Sequence, residues 1–118
     1  MQEIHQDHSE KIEALARPDI PLTTNTSNFP IGEVGKALAR RARVAGVHFF
    51  MPAHLVPLVE IVSAESTDTA VAERLVDLMK ALGKAPIWVK KDVPGFVGNR
   101  LQHAMLREAL YLVADGIV

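Results

Sequence analysis

The run VAGVHFFMPAHLVPLVEIV, Val44 to Val62, is apolar, glycine or proline except at His48, His54 and Glu60. His54 lies between Pro52 and Pro57 and fits a loop. A carboxylate in an apolar segment is costly unless it is paired or hydrogen-bonded, so Glu60 needs a partner. His48 stands twelve positions earlier, and the proline-bearing connection between the two suits a chain that turns back on itself. If the side chains meet, the carboxylate accepts from one ring nitrogen and fixes the tautomer. The other nitrogen is then left as a general base. A pair of this kind would equally tie two strands together without doing chemistry.

Two further clusters hold polar groups. TTNTSN, residues 23–28, closes a β-rich run with hydroxyl and amide side chains, which is also the composition of a plain polar turn. DVPGFVGNRL places Asn99 and Arg100 just inside a helix that follows a Pro-Gly turn. There Asp92 suits a helix start, Gly95 the turn, and Arg100 a solvated position.

The elements that must position these groups follow from pattern. DHSEKIEALARP has Ile12, Leu15 and Ala16 at helical spacing and is stopped by Pro18. IPLTTNTS reads as a strand delivering a loop. PIGEVGKALARR reads as a helix opened by Pro30, with Ile31, Val34 and Leu38 on one face and the basic RRAR run as a solvated C-terminal cap. RVAGVHFF and LVEIVSA are strands. STDTAVAERLVDLMKALGK is a helix capped by Ser66 or Thr67, striped by Val71, Leu75, Leu78 and Leu82, and ended by Gly83. APIWVKK is a further strand, and a long apolar-faced helix follows from Phe96 to the end. This alternation predicts an α/β sheet layered with helices. In the strand holding His48, that residue shares a face with Val44 and Gly46 near the carboxyl end, where open α/β sheets bind ligands. The chain opens in a helix with no strand before it and closes in an uncovered apolar helix, so both ends are expected to be cut.

The chain has 118 residues, net charge −1 and no cysteine. That is room for one modest domain. Charge is unclustered apart from residues 40–43, so neither nucleic acid nor a membrane surface is expected as partner. Disulfides, thiolate zinc sites and a cysteine nucleophile are excluded. No apolar run reaches the ~20 residues of a spanning helix. The expectation is a cytoplasmic protein with no metal.

Together, TNTSNFPI, GVHFFMPAHLVPLVEIV, ALGKAPIWVKKDVPGFVGNRL and EALYLVADG, in this order and spacing, resemble the NAD-dependent L-3-hydroxyacyl-CoA dehydrogenases. That family's pattern runs Asn-Thr-Ser, Gly-x-His-Phe-x-Asn-Pro, Leu-Val-Glu-Val, Gly-Lys-x-Pro, then Asp-x-Pro-Gly-Phe-x-x-Asn-Arg. The similarity covers Thr23 to Gly116 and reaches more faintly back to Glu3.

The resemblance implies the later half of a Rossmann-type sheet over residues 1–92. It implies that residues 93–118 begin an all-helical C-terminal domain, through which family members form homodimers. No Gly-x-Gly-x-x-Gly turn occurs in the sequence. The implied reaction is oxidation of the 3-hydroxyl of an acyl-CoA, with NAD as cofactor, in fatty acid metabolism. His48 matches the base and Glu60 the carboxylate that orients it. Ser27 matches the serine that hydrogen-bonds the reacting oxygen or the nicotinamide amide, and Asn99 the asparagine that holds substrate near the histidine. Asn25 would face the nicotinamide ribose, while Asp7 and Lys11 match an acid and a lysine near the cofactor. Met51 departs from the pattern, because a thioether cannot replace an amide's donors and acceptor beside the substrate. Two alternatives remain open: a catalytically silent fragment that folds or self-associates without NAD, and a related dehydrogenase of non-CoA hydroxy acids.

Overall fold

The computed structural model describes residues 2–27 and 29–118, with side chains from residue 8 onward. In chain order the elements are α1 (Gln2–Leu15), β1 (Leu22–Thr24), α2 (Ile31–Val34), a 3-10 turn (Arg41–Arg43), β2 (Val44–Phe49), β3 (Leu58–Val62), α3 (Thr69–Ala81), β4 (Ala85–Val89) and α4 (Gly98–Ala114). The strands lie in the order β1-β2-β3-β4. β1 and β2 are parallel, β2 and β3 antiparallel, and β3 and β4 parallel. This is the α/β sheet that the alternation of elements predicts, of the Rossmann type that the resemblance implies. Among the described residues no helix is long and apolar enough to cross a membrane.

Both faces of the sheet are covered, which is why β2 reads as an unbroken apolar run rather than an alternating one. On one face Ile31, Leu38, Val44, Val62, Ala64, Val89 and Phe96 form a core cluster. On the other, Ala45, Val47, Val59 and Ile61 pack under Ala72, Leu75 and Met79 of α3. His48 and Glu60 belong to the first face.

Three local expectations are corrected. The helix predicted from Pro30 stops at Val34, although Ile31, Val34 and Leu38 all stay buried. Gly32 and Gly35 weaken helix propensity, and the chain continues in tighter turns that still carry Leu38 inward. The stripe of α3 is Ala72, Leu75 and Met79, while Leu78 and Leu82 are exposed. Either stripe satisfies helical spacing around Leu75. The rotation is chosen by anchors at the helix start: Asp68 caps the amide of Ala70 at 2.9 Å, and Asp68 N–H donates to the carbonyl of Ala42 at 2.7 Å. Thr67 is not the cap, because its hydroxyl donates to the Val44 carbonyl and accepts from Ala64 N–H.

The basic run is the third correction. Arg43 is buried rather than solvated. Its Nη1 donates to the carbonyls of Arg17 and Ile20, at 2.6 and 3.2 Å, and so ties the segment beyond α1 to the start of β2. Its Nη2 lies 3.6 Å from Glu13 Oε1, and the Glu13 carboxylate also accepts from the N–H groups of Ala39 and Arg40 at 2.9 and 3.0 Å. Burial raises the Glu13 pKa, but the two amides and the guanidinium outweigh it and hold the carboxyl below its ordinary 4.5. A carboxyl with a depressed folded-state pKa adds stability above its unfolded value, and loses it as pH falls through the folded one. Attachment of α1 should therefore weaken in acid below pH 4.5. Protection factors of the α1 amides, taken relative to the intrinsic exchange rate at each pH, should fall with falling pH in that range, and Glu13→Gln should flatten the dependence.

Candidate active site

β2 and β3 pair so that His48 and Glu60 stand directly opposite each other. Side chains opposite one another in an antiparallel pair share a face and lie close enough to interact. His48 Nδ1 and Glu60 Oε2 are 2.7 Å apart, with Glu60 fully buried and His48 6% exposed. The carboxylate has only acceptors to offer, so Nδ1 carries the proton and donates it. Nε2 is thereby the ring nitrogen left free of the carboxylate.

The second oxygen of Glu60 is also engaged. Oε1 accepts from Val97 N–H at 2.9 Å and from Gly98 N–H at 2.8 Å, the first free amides of α4. A helix start exposes such orphan amides and the positive end of its dipole. The turn that aims them here is tight. Gly95 has φ +75° and Phe96 φ +47°, two successive left-handed residues of which the second is not glycine. A side chain in that region costs about 1–2 kcal/mol. Burial of the Phe96 ring, 1% exposed in the first-face core, offsets it. The same ring meets His48 edge-on at 5.6 Å between centroids, and Phe50 lies 4.8 Å from the imidazole on a 57° tilt.

The polar loop after β1 sits beside this group. Because β1 and β2 are parallel, with Thr24 opposite Gly46, their carboxyl ends lie side by side. Asn25 Oδ1 accepts from Phe49 N–H at 2.9 Å, which pins the loop to the end of β2. Asn99 Nδ2 reaches the main-chain carbonyl of Ser27 at 3.5 Å, and both residues are half-buried. Thus His48, Glu60, Asn25, Ser27 and Asn99 converge on one end of the sheet. Lys11 is exposed on α1, and the side chain of Asp7 lies outside the described residues. Asp92 is not a helix-start residue, since its Oδ2 accepts from Gly32 N–H at 2.8 Å. Sequence reasoning missed the amides of Val97 and Gly98 and the rings of Phe50 and Phe96. The one signal for the amides was a helix start placed soon after a Pro-Gly turn. A groove of about 730 Å³ runs between β1 and α3 on the opposite face. It shares only Asn25 with the cluster and is chiefly apolar, so it is not where this chemistry sits.

A doubly covered sheet with a polar cluster at adjoining strand ends is the arrangement of a Rossmann-type α/β protein, whose ligands lie beyond such strand ends. The pattern of the 3-hydroxyacyl-CoA dehydrogenase NAD-binding domain matches residues 2–93, and the chain belongs to that family. It is 36% identical over 115 residues to the 5-formyl-3-hydroxy-2-methylpyridine 4-carboxylate 5-dehydrogenase of Mesorhizobium japonicum, covering 98% of this chain and 37% of the relative. It is 36% identical to the L-carnitine dehydrogenase of Pseudomonas syringae pv. syringae, covering 98% of this chain and 36% of that one. Among solved structures, the former type of enzyme, described as an NAD+-dependent dismutase, superposes with TM-score 0.94 at 35% identity, over 100% of this chain and 38% of the other. The 3-hydroxybutyryl-CoA dehydrogenase of Escherichia coli K12 gives TM-score 0.94 at 32% identity, over 100% of this chain and 25% of that one. The chain thus spans about a third of the length of the curated relatives it matches.

NAD is the family's cofactor, and the polar residues Asn25 and Ser27 at the strand ends, near His48, are of a kind that can hydrogen-bond a dinucleotide.

The carboxylate makes its own test. In Glu60→Gln one acceptor oxygen becomes an amide NH2, which either faces the α4 amides as donor against donor or faces His48 and drives the ring proton from Nδ1 to Nε2. Urea unfolding should show a loss of about 1–3 kcal/mol, from a stranded donor or from charge-assisted bonds replaced by neutral ones. A variant as stable as the native chain that also keeps the His48 proton on Nδ1 would contradict the description of Glu60.

Proposed function

We propose that this chain carries the base and the nicotinamide-facing half of the site of a dehydrogenase that oxidises the 3-hydroxyl of an acyl-CoA to a 3-oxo group. The observation that carries the reading is the buried contact between His48 Nδ1 and Glu60, which leaves Nε2 as an oriented proton acceptor at the strand ends. The chemistry that bound NAD supplies is acceptance of a hydride. As that hydride leaves the hydroxyl-bearing carbon, the O–H bond breaks, its proton passes to His48 Nε2, and the carbon–oxygen bond becomes a carbonyl. Glu60 stabilises the imidazolium that forms and keeps the ring from turning. Ser27 holds the reacting oxygen or the nicotinamide amide, and Asn99 holds substrate near His48. Asn25 pins the loop that faces the nicotinamide ribose, and Asp7 and Lys11 serve as the acid and the lysine near the cofactor. The proposed setting is the cytoplasm and fatty acid metabolism.

A second reading shares the base and changes the substrate to a free hydroxy acid. The similarity to the L-carnitine and pyridine-carboxylate dehydrogenases favours it, as does Met51, an exposed thioether next to Phe50. Residues 1–92 then form part of the NAD-binding unit, and 93–118 open a helical domain that pairs two copies. Leu101, Met105 and Leu110 of α4 are all more than 60% exposed, the kind of apolar surface that marks an interface.

Two measurements test these proposals. In the full-length gene product, His48→Gln should lower kcat by roughly 10²- to 10⁴-fold, the usual contribution of a positioned base. Unchanged turnover would remove His48 from the mechanism, and a panel of acyl-CoAs against free hydroxy acids, carnitine included, decides the substrate. In sedimentation the chain should associate, and Leu101→Lys with Met105→Lys should return it to monomer without loss of helix.

A further inference from the structure

The ring of His48 is fenced on three sides. Glu60 holds Nδ1, Phe96 meets the ring edge-on, and Phe50 lies tilted across it. Phe50 in turn rests where residue 98 would carry a side chain. A Cβ built on Gly98 would fall 2.2 Å from Phe50 Cζ and 2.8 Å from its Cε1, separations that real atoms do not tolerate. Yet Gly98 cannot retreat, because its N–H donates to Glu60 Oε1 at 2.8 Å. One backbone position therefore touches both supports of the imidazole: the carboxylate through its amide, and the aromatic ring through its bare Cα.

We propose that Gly98 and Phe50 are a matched pair of positioning residues through which the start of α4 sets the orientation of His48. The proposal rests on the reading of His48 as the base. With any side chain at position 98, one of two contacts has to give. Either the Phe50 ring swings off the imidazole, or the first turn of α4 lifts from Glu60 and its oxygen loses two donors. Both outcomes free His48 to turn about its Nδ1 contact and displace Nε2, and the second also shifts Asn99 in the first turn of α4. The pairing also gives α4 a route to the base: a tilt of that helix moves Gly98 against Phe50 and the amides against Glu60 together.

The steric account opposes the local one, which makes it testable. Gly98 is the first residue of α4, where alanine is the better helix former, so propensity alone predicts that Gly98→Ala raises the melting temperature. The matched pair predicts a lower one. It also predicts that the His48 Nδ1–H proton resonance shifts or broadens, and that nuclear Overhauser contacts between the Phe50 and His48 rings weaken. Gly98→Ala combined with Phe50→Leu should recover both the resonance and the stability, since the shorter side chain makes room for the new methyl. In the full-length gene product, Gly98→Ala should lower kcat roughly 10- to 100-fold, as small misplacements of catalytic groups do, with KM little changed. The double variant should regain most of it. A Gly98→Ala chain with native His48 resonance and ring contacts would overturn the proposal. So would a double variant that recovers nothing, including the case where both variants fail to fold. These spectra need no cofactor. If they behave as stated while His48→Gln keeps full activity, the coupling stands and the assignment of the base falls.

Discussion

Everything at this end of the molecule is organised around one carboxylate with no contact to water. Glu60 stands between Val59 and Ile61 in a strand otherwise made for an apolar core. An isolated charge there would be prohibitive, and burial is tolerable only when its acceptors are filled by donors in good geometry. Three N–H groups do so: one from the imidazole on the neighbouring strand, and two from the backbone at the start of α4. These bonds impose conditions on the rest. β2 and β3 must keep the register that puts His48 opposite Glu60, since a slip by one residue would send the two side chains to opposite faces. The chain leaving β4 must turn tightly enough to present two amides, which accounts for the left-handed Phe96.

The strain at Phe96 is understandable in these terms. Left-handed conformations at bulky residues persist where the surroundings over-determine them, and they collect at functional positions. Here the ring is locked in the first-face core and the following two amides are locked on Glu60. The turn is thus held from both sides. Its ring then serves a second purpose as one wall around the imidazole. Core packing, helix start and orientation of the base are one mechanical unit rather than three features that happen to adjoin.

Much of the fold was legible in the sequence because it rests on side-chain periodicity. The strands around His48 and Glu60 and the helix ending at Gly83 follow from pattern, and the meeting of His48 with Glu60 follows from a buried charge that needs a partner. Legibility failed where the deciding groups have no side-chain signature. The donors from Val97 and Gly98 are backbone N–H groups, and nothing about valine or glycine marks them as ligands of a carboxylate. Arg43 looked like its neighbours Arg40 and Arg41, and only the carbonyls it meets beyond α1 set it apart. The rotation of α3 was ambiguous for a similar reason, since two stripes share Leu75 and the choice lies in bonds made by Thr67 and Asp68. Ser27, Asn25 and Asn99 were reached by resemblance, each being an ordinary turn or helix residue by composition. The fold then brought them to the same strand ends.

Glu60 dictates which imidazole nitrogen of His48 holds the proton. Long-range nitrogen–proton correlation spectra of the native chain, labelled at histidine and recorded where the ring is neutral, report this directly. They should show a single tautomer with the proton on Nδ1, slow to exchange and shifted far downfield by its bond to the carboxylate, and a bare Nε2. A ring protonated on Nε2, or one that averages between the two tautomers, would contradict this role of Glu60.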